Sequence, residues 1–204
     1  MTTTDNPPPA RARVKGNKRQ RTRAALIEAA AALIRERGYE ETTLAAVAQR
    51  AGMTRGAIYG NFKNREDLFM AVVAQRWEPI APRIRVGDSF QKQLRALAEA
   101  VIAAAPQRRK SAVGAASFQA YALKHEQMRQ RLVVANSEVY RAMAAGVAQM
   151  NRTDTLPMPA EQLVRVLHFM IEGYLMLRFL TPELVGDDDI IAAFEAIGRS
   201  GPDS

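Results

Sequence analysis

The sequence predicts an all-α protein, with an N-terminal helix-turn-helix domain followed by a second helical domain. Apolar residues recur at intervals of three and four along most segments, and no stretch alternates polar with apolar for long enough to be a strand. Thr, Asn, Gly and Pro punctuate the chain at spacings that suit helices of ordinary length. Composition agrees: 204 residues with 48% hydrophobic and 25% charged side chains suit a soluble globular protein long enough for one or two domains.

Residues 1–16, with Pro7, Pro8, Pro9 and Gly16, read as a disordered basic extension. A first helix is predicted from about Thr22 to Arg37, with Leu26, Ile27, Ala30, Leu33 and Ile34 at helical spacing and Gly38 as its stop. Thr42 and Thr43 can cap a short second helix, Leu44 to Ala51, which ends at Gly52. Thr54 can cap a third, Arg55 to Phe62. Asn64 can cap a fourth, with Asp67 three residues on and Leu68, Phe69, Val72, Val73 and Trp77 as its apolar face. Residues 17–77 therefore form the first domain. Pro79, Pro82 and Gly87 interrupt the periodicity after it, and residues 78–204 form the second.

In that second domain the pattern predicts a helix from about Ser89 to Ala105, stopping before Pro106, and another from about Ser111 to Leu123. A long helix from about Glu126 to Met150 follows, with Met128, Leu132, Ala135, Val139, Met143 and Val147 as its stripe. After Pro157 and Pro159, further helices cover about Ala160 to Leu180 and a stretch from near Asp187, the latter burying Ile190, Ile191, Phe194 and Ile197.

Charge is unevenly spread. The net of +8 comes from 29 Lys and Arg against 21 Asp and Glu. Residues 1–77 hold 14 basic and 7 acidic side chains, and residues 78–204 hold 15 and 14. Arg11, Arg13, Lys15, Lys18, Arg19, Arg21 and Arg23 form a run with no acid among them. Such a run is a solvated tail or an arm for a polyanion. Zero Cys removes disulfides, thiol catalysis and thiolate zinc sites, and the two His, at 125 and 168, offer no metal cluster, so no metal or cofactor is expected. His125, beside Lys124 and Glu126, is expected in an exposed turn. The start of the chain lacks the apolar core of a secretory signal, and the greasiest stretch, Val164 to Leu180, carries Arg165, His168, Glu172 and Arg178, so no membrane is expected and a cytoplasmic location is. No nucleophile elbow, phosphate loop or His-Glu metal motif supports an enzyme.

Val47, Ala48, Ala51, Gly52, Met53 and Ile58 have the spacing of a helix-turn-helix: small residues let two short helices approach, Gly52 turns the backbone, and Ile58 closes the pair. The spacing alone also fits ordinary helical packing. The basic run before the unit and Arg55, Lys63 and Arg65 in and after its second helix favour DNA.

The run from Thr42 to Leu68, with its cap, turn glycine, Tyr59, Phe62 and the following Lys63-Asn64-Arg65-Glu66-Asp67-Leu68 in register, resembles the DNA-binding domain of the TetR family of transcriptional regulators. The resemblance implies a recognition helix led by Thr54, with Arg55, Gly56 and Ala57 facing bases, and only Arg55 able to read a guanine edge strongly. It implies that Thr43, Tyr59, Asn61 and Arg65, with Lys63 nearby, meet phosphates. The family more often has His at the Asn61 position, Lys at the Arg65 position and a larger residue at Gly60. Gly56 and Gly60 either thin this face for close approach to the groove or are not selected for size. The basic arm would then tether DNA.

For the second domain the resemblance implies effector binding and homodimerisation, and so a repressor released from a palindromic double-stranded operator by a small molecule. A DNA-binding architectural protein without an effector is the alternative. Candidate ligand contacts are Phe118, Tyr121, Met143, His168, Glu172 and Met176, although apolar side chains of this kind are more often only core. Arg165, His168 and Glu172 share one helical stripe, where they could orient a polar group of a ligand, but a salt-bridge network at a dimer edge is the simpler reading.

Overall fold

A computed structural model of the chain describes residues 15–76, 79–152 and 156–199. The expected extension as far as residue 14, with Arg11 and Arg13, lies outside the described residues, as does Trp77. All regular structure among the described residues is helical: α1 (Lys15–Arg37), α2 (Leu44–Arg50), α3 (Arg55–Tyr59), α4 (Arg65–Arg76), α5 (Phe90–Lys124), α6 (Glu126–Met150), α7 (Ala160–Leu180) and α8 (Asp187–Arg199). The chain divides into two units, one ending at Arg76 and the other starting at Trp77.

The first unit is built on α1, against which α2, α3 and α4 pack. Leu26, Ala30, Leu33, Val47, Ile58, Phe62, Leu68, Phe69 and Val72 are almost wholly buried. Each large apolar side chain withdrawn from water contributes about 1.5–3 kcal/mol before entropy is charged against it. Tyr39 meets Phe69 edge to face, with ring centroids 5.0 Å apart, and so fastens the chain between α1 and α2 to α4. α1 starts seven residues earlier than the apolar pattern predicts and takes in Lys15 and Gly16, which the sequence pattern places in the extension. Apolar periodicity marks the buried face of a helix, and the run from Lys18 to Arg23, rich in good helix formers, carries the helix beyond that face.

In the second unit α5 packs on α6, α7 and α8, and α6 packs on α7. Its core holds Phe90, Leu94, Ala98, Val101, Leu163, Leu167, Tyr174, Leu175, Ile190 and Phe194. At one end Gln93 and Asn151, both buried, exchange amide hydrogen bonds of 2.8 and 3.0 Å, and their remaining amide hydrogens reach the Asp88 and Val147 carbonyls. Such a pair is tolerable in a core because no donor is left over.

Three expectations are corrected here. The two helices foreseen on either side of Pro106 are one, α5, with the proline inside it. Pro106 lies on the exposed side, where a carbonyl that loses its N–H partner can turn to water, and the alanines before it favour the helix. Along α6 the foreseen stripe runs into solvent, for Val139 and Met143 are exposed while Ala144 is buried. At 100° per residue the buried Ala144 lies roughly 160° around the helix from Met128, so the two ends of α6 bury different faces. His125, expected in the open, is half-buried and stacked on Tyr121, with ring centroids 4.1 Å apart.

Candidate nucleic-acid interface

Local hydrogen bonding sets the α2–α3 angle. Thr43 caps α2 by accepting from the Ala46 N–H at 3.2 Å. Thr42, the other candidate cap, is buried and donates its hydroxyl to the Gly38 carbonyl at 2.7 Å. At the far end Gly52 takes φ 63°. Its N–H bonds to the Gln49 carbonyl and that of Met53 reaches back to Ala48 at 2.9 Å, a pairing that closes a helix and needs a left-handed residue. Thr54 immediately opens α3 by accepting from the Ala57 N–H at 3.3 Å. Val47, Ala48 and Ile58 then form the inner seam, each at most 2% exposed. Asn64 caps α4 by accepting from Asp67 N–H at 2.9 Å, and the Asp67 carboxylate takes the Lys63 N–H at 3.1 Å.

This seam leaves an outer face. Thr43, Thr54, Arg55, Gly56 and Lys63 are exposed, Ala57 is half-buried, and the Tyr59 ring stands 61% exposed. A cavity of about 560 Å³ is lined by Thr43, Ala46, Gln49, Met53 and Arg55 among others. Its wall thus joins the start of α2 to the start of α3. Two of the phosphate candidates are already engaged within the protein. The Asn61 amide donates to the Ala57 carbonyl at 2.8 Å, and its own side-chain oxygen is buried. The Arg65 guanidinium donates to the Glu40 carbonyl at 3.1 Å and lies 5.6 Å from the centre of the Phe69 ring. Arg50 is held by Glu36 through contacts of 2.7 and 2.8 Å, and the same bond keeps the Glu36 carboxyl below its usual range.

Sequence reasoning missed two residues of this unit's architecture. Arg19 and Arg23, assigned to a tethering arm, reach the end of α3: Arg23 donates to the Asn61 carbonyl at 2.7 Å and Arg19 to the Gly60 carbonyl at 3.4 Å. The signal was present, since they continue the helical row of Leu26 and Ala30 by steps of four and three.

The six candidate ligand residues are not gathered around the cavity of about 460 Å³ that opens between α6 and α7; its lining includes Leu132, Val133, Asn136, Tyr140, Arg141 and Arg165, and none of the six. Phe118 and Tyr121 are buried on α5, Met143 is exposed on α6, and Met176 is half-buried on α7. His168 and Glu172 lie 3.9 Å apart in a polar cluster with Tyr140, whose hydroxyl is 2.6 Å from His168 Nδ1. Burial pushes the Tyr140 phenol up, Glu172 adds to the rise and Arg165 opposes it. Arg165 also pairs with Glu161 at 3.6 Å. Among the described residues, no three His, Asp or Glu side chains could together hold a metal ion, and no helix is long and apolar enough to cross a membrane.

Residues 26–72 match the family described as bacterial regulatory proteins, tetR family. The matched residues run from α1 into α4. The chain is also similar to HTH-type transcriptional regulator TtgR of Pseudomonas putida, 50% identical over 54 residues, which are 26% of each chain. The aligned part thus spans about a quarter of that relative's length. Across most of the chain the likeness is one of fold. The crystal structure of native NalD, titled the secondary repressor of the MexAB-OprM multidrug efflux pump in Pseudomonas aeruginosa, aligns over 91% of this chain and 100% of its own, with a TM-score of 0.62 and 24% identity. A SmeT–triclosan complex aligns over 88% and 90%, with a TM-score of 0.56 and 21% identity. TtgR is described as a transcriptional regulator.

Proposed function

We propose that this chain is a cytoplasmic, homodimeric transcriptional repressor that reads a palindromic operator through α3 and is released by a small-molecule effector. One observation carries the reading: Thr54 caps a short helix whose first residue, Arg55, is exposed on an outer face behind a tight glycine turn, within the segment that matches the tetR family. Arg55 supplies the bidentate donors that a guanine edge takes, and Gly56 and Ala57 let the groove come close. Tyr59, Thr43 and Lys63 surround that edge with phosphate donors, and Arg65 and Asn61 join them if their internal bonds exchange for phosphate. The near-neutral second unit suits sensing of a small molecule, and the fold neighbour SmeT has been seen in complex with triclosan. Effector and operator then weaken each other's binding by the same factor, as linkage requires.

Selection of bound sequences from random duplex DNA tests this, and it should return a palindrome. Arg55→Ala should relax preference at one base pair per half-site by about tenfold to a hundredfold, whereas Tyr59→Phe should weaken all duplexes alike. Recovery of no consensus would leave a DNA-coating protein in place of a repressor. A thermal-shift screen of small molecules, followed by operator release with each hit, identifies the effector class.

A further inference from the structure

We infer that Arg23, seconded by Arg19, is a positioning residue that straps the carboxyl end of α3 to α1 and so fixes the attitude at which α3 presents Arg55. The consequence for DNA rests on the function proposed above; the strap itself rests on geometry.

Every helix leaves its last carbonyls without partners in the helix. α1 and α2 each close through a left-handed glycine, Gly38 at φ 81° and Gly52 at φ 63°, and at α1 the Thr42 hydroxyl adds a bond to the Gly38 carbonyl. α3 has no such residue. Its closing residue, Gly60, is right-handed, with φ −72° and ψ −14°; the Gly56 and Ile58 carbonyls take the N–H groups of Gly60, Asn61 and Phe62, while the Ala57 carbonyl and the two just past the helix turn to side chains. The Ala57 carbonyl takes the Asn61 amide at 2.8 Å, the Gly60 carbonyl takes Arg19 at 3.4 Å, and the Asn61 carbonyl takes Arg23 at 2.7 Å. Arg23 is fixed a second time, because its guanidinium lies 4.3 Å from the centre of the Phe62 ring, and that ring is 1% exposed. A cation at this end also complements the helix dipole, and a charged donor makes a shorter, stronger bond.

α3 has five residues, too few to hold its own direction. α1 has 23 and is anchored by Leu26 and Ala30, neither of them exposed. A tilt of about 10° moves one end of a helix about 7.5 Å long by roughly 1.3 Å, more than the spread of distances in a good hydrogen bond. Arg23 therefore governs what Arg55 can read without touching the duplex. The opposing assignment, Arg23 as a phosphate contact of a basic arm, makes a different salt signature.

The test uses the full chain, Arg23→Ala, Arg19→Ala and Arg23→Lys, with amide hydrogen exchange measured without DNA and affinities for the selected operator and a scrambled duplex measured over a salt series. In Arg23→Ala the amides of Gly60, Asn61 and Phe62 should exchange about tenfold faster, and operator affinity should fall about tenfold, the scale of one charge-assisted bond. Scrambled-duplex affinity and the operator salt slope should stay as in the wild type. Arg19→Ala should do the same more weakly. Equal losses on both duplexes with the slope reduced by about one would make Arg23 a phosphate contact and overturn the proposal, as would unchanged exchange. Arg23→Lys covers the case in which the alanine variant does not fold: it keeps the charge but loses the planar contact with Phe62, so operator affinity stays low, and full rescue would again mean a phosphate contact. If the wild type selects no consensus, the DNA reading fails by itself, and exchange at Gly60 to Phe62 still decides the strap.

Discussion

Gly56 and Gly60 lie one turn apart, yet a methyl group would meet different surroundings at each. At Gly56 its nearest neighbour would be the Thr54 hydroxyl at 3.8 Å, an ordinary contact, whereas at Gly60 it would press the Gly56 carbonyl at 3.2 Å. Nothing inside the protein therefore asks for glycine at position 56, and Gly56→Ala should raise stability by about 0.5–1 kcal/mol, the helical penalty of glycine. If α3 lies against DNA, the same variant should bind its operator more weakly, so a rise in unfolding midpoint with unaltered operator affinity would free that face from the groove. Thr42 shows the reverse dependence. Thr42→Val keeps its volume but removes the 2.7 Å bond to the Gly38 carbonyl, leaving a half-buried acceptor at the end of α1. A loss of about 1 kcal/mol is expected in denaturant unfolding; wild-type stability would mean that water reaches that carbonyl.

At the scale of elements, α5 is the departure from what the sequence signals. A proline inside a helix costs about 3 kcal/mol relative to alanine, and Pro106 stands in a helix of 35 residues. Pro106→Ala should therefore raise the thermal midpoint by several degrees with little change in helix content, and a fall would show that the second unit needs the proline there. Helix starts were legible because capping is local: Thr43, Thr54, Asn64 and Ser89 each bond within three residues, and so was the α2–α3 turn, which needs a single left-handed glycine. The passage through Pro106 and the faces buried by α6 were not, because each depends on which other helix lies alongside, and the start of α1 was not, because its first turns carry charged helix formers and no apolar row. The candidate interface divides in the same way. Arg55 and Tyr59 follow from register and the Asn61 bond to Ala57 is local, whereas the bonds of Arg65 to the Glu40 carbonyl and of Arg23 to the Asn61 carbonyl depend on segments distant in sequence.

At the scale of the whole molecule, the excess charge and the excess apolar surface belong to different units. Residues 1–77 hold 14 basic against 7 acidic side chains, so salt dependence of DNA binding should reside there. The second unit instead leaves α7 uncovered along one row, with Phe169 64%, Leu177 52% and Leu180 68% exposed and Gly173 between them, where a second backbone could come close. Such a row is costly in water unless a copy of the same chain covers it, and a twofold dimer buries it on both sides at once. The expected result is a dimer in sedimentation equilibrium at micromolar concentration. Phe169→Glu would bury two like charges across the twofold axis and should dissociate it, without unfolding either unit because the side chain faces outward. The monomer would keep its grip on a half-site but lose the tethered second one, so affinity for the full palindrome should fall by more than about a hundredfold while half-site affinity stays unchanged. A variant that remains dimeric would move the interface off α7, and a dimer lost with palindrome affinity intact would separate assembly from operator reading.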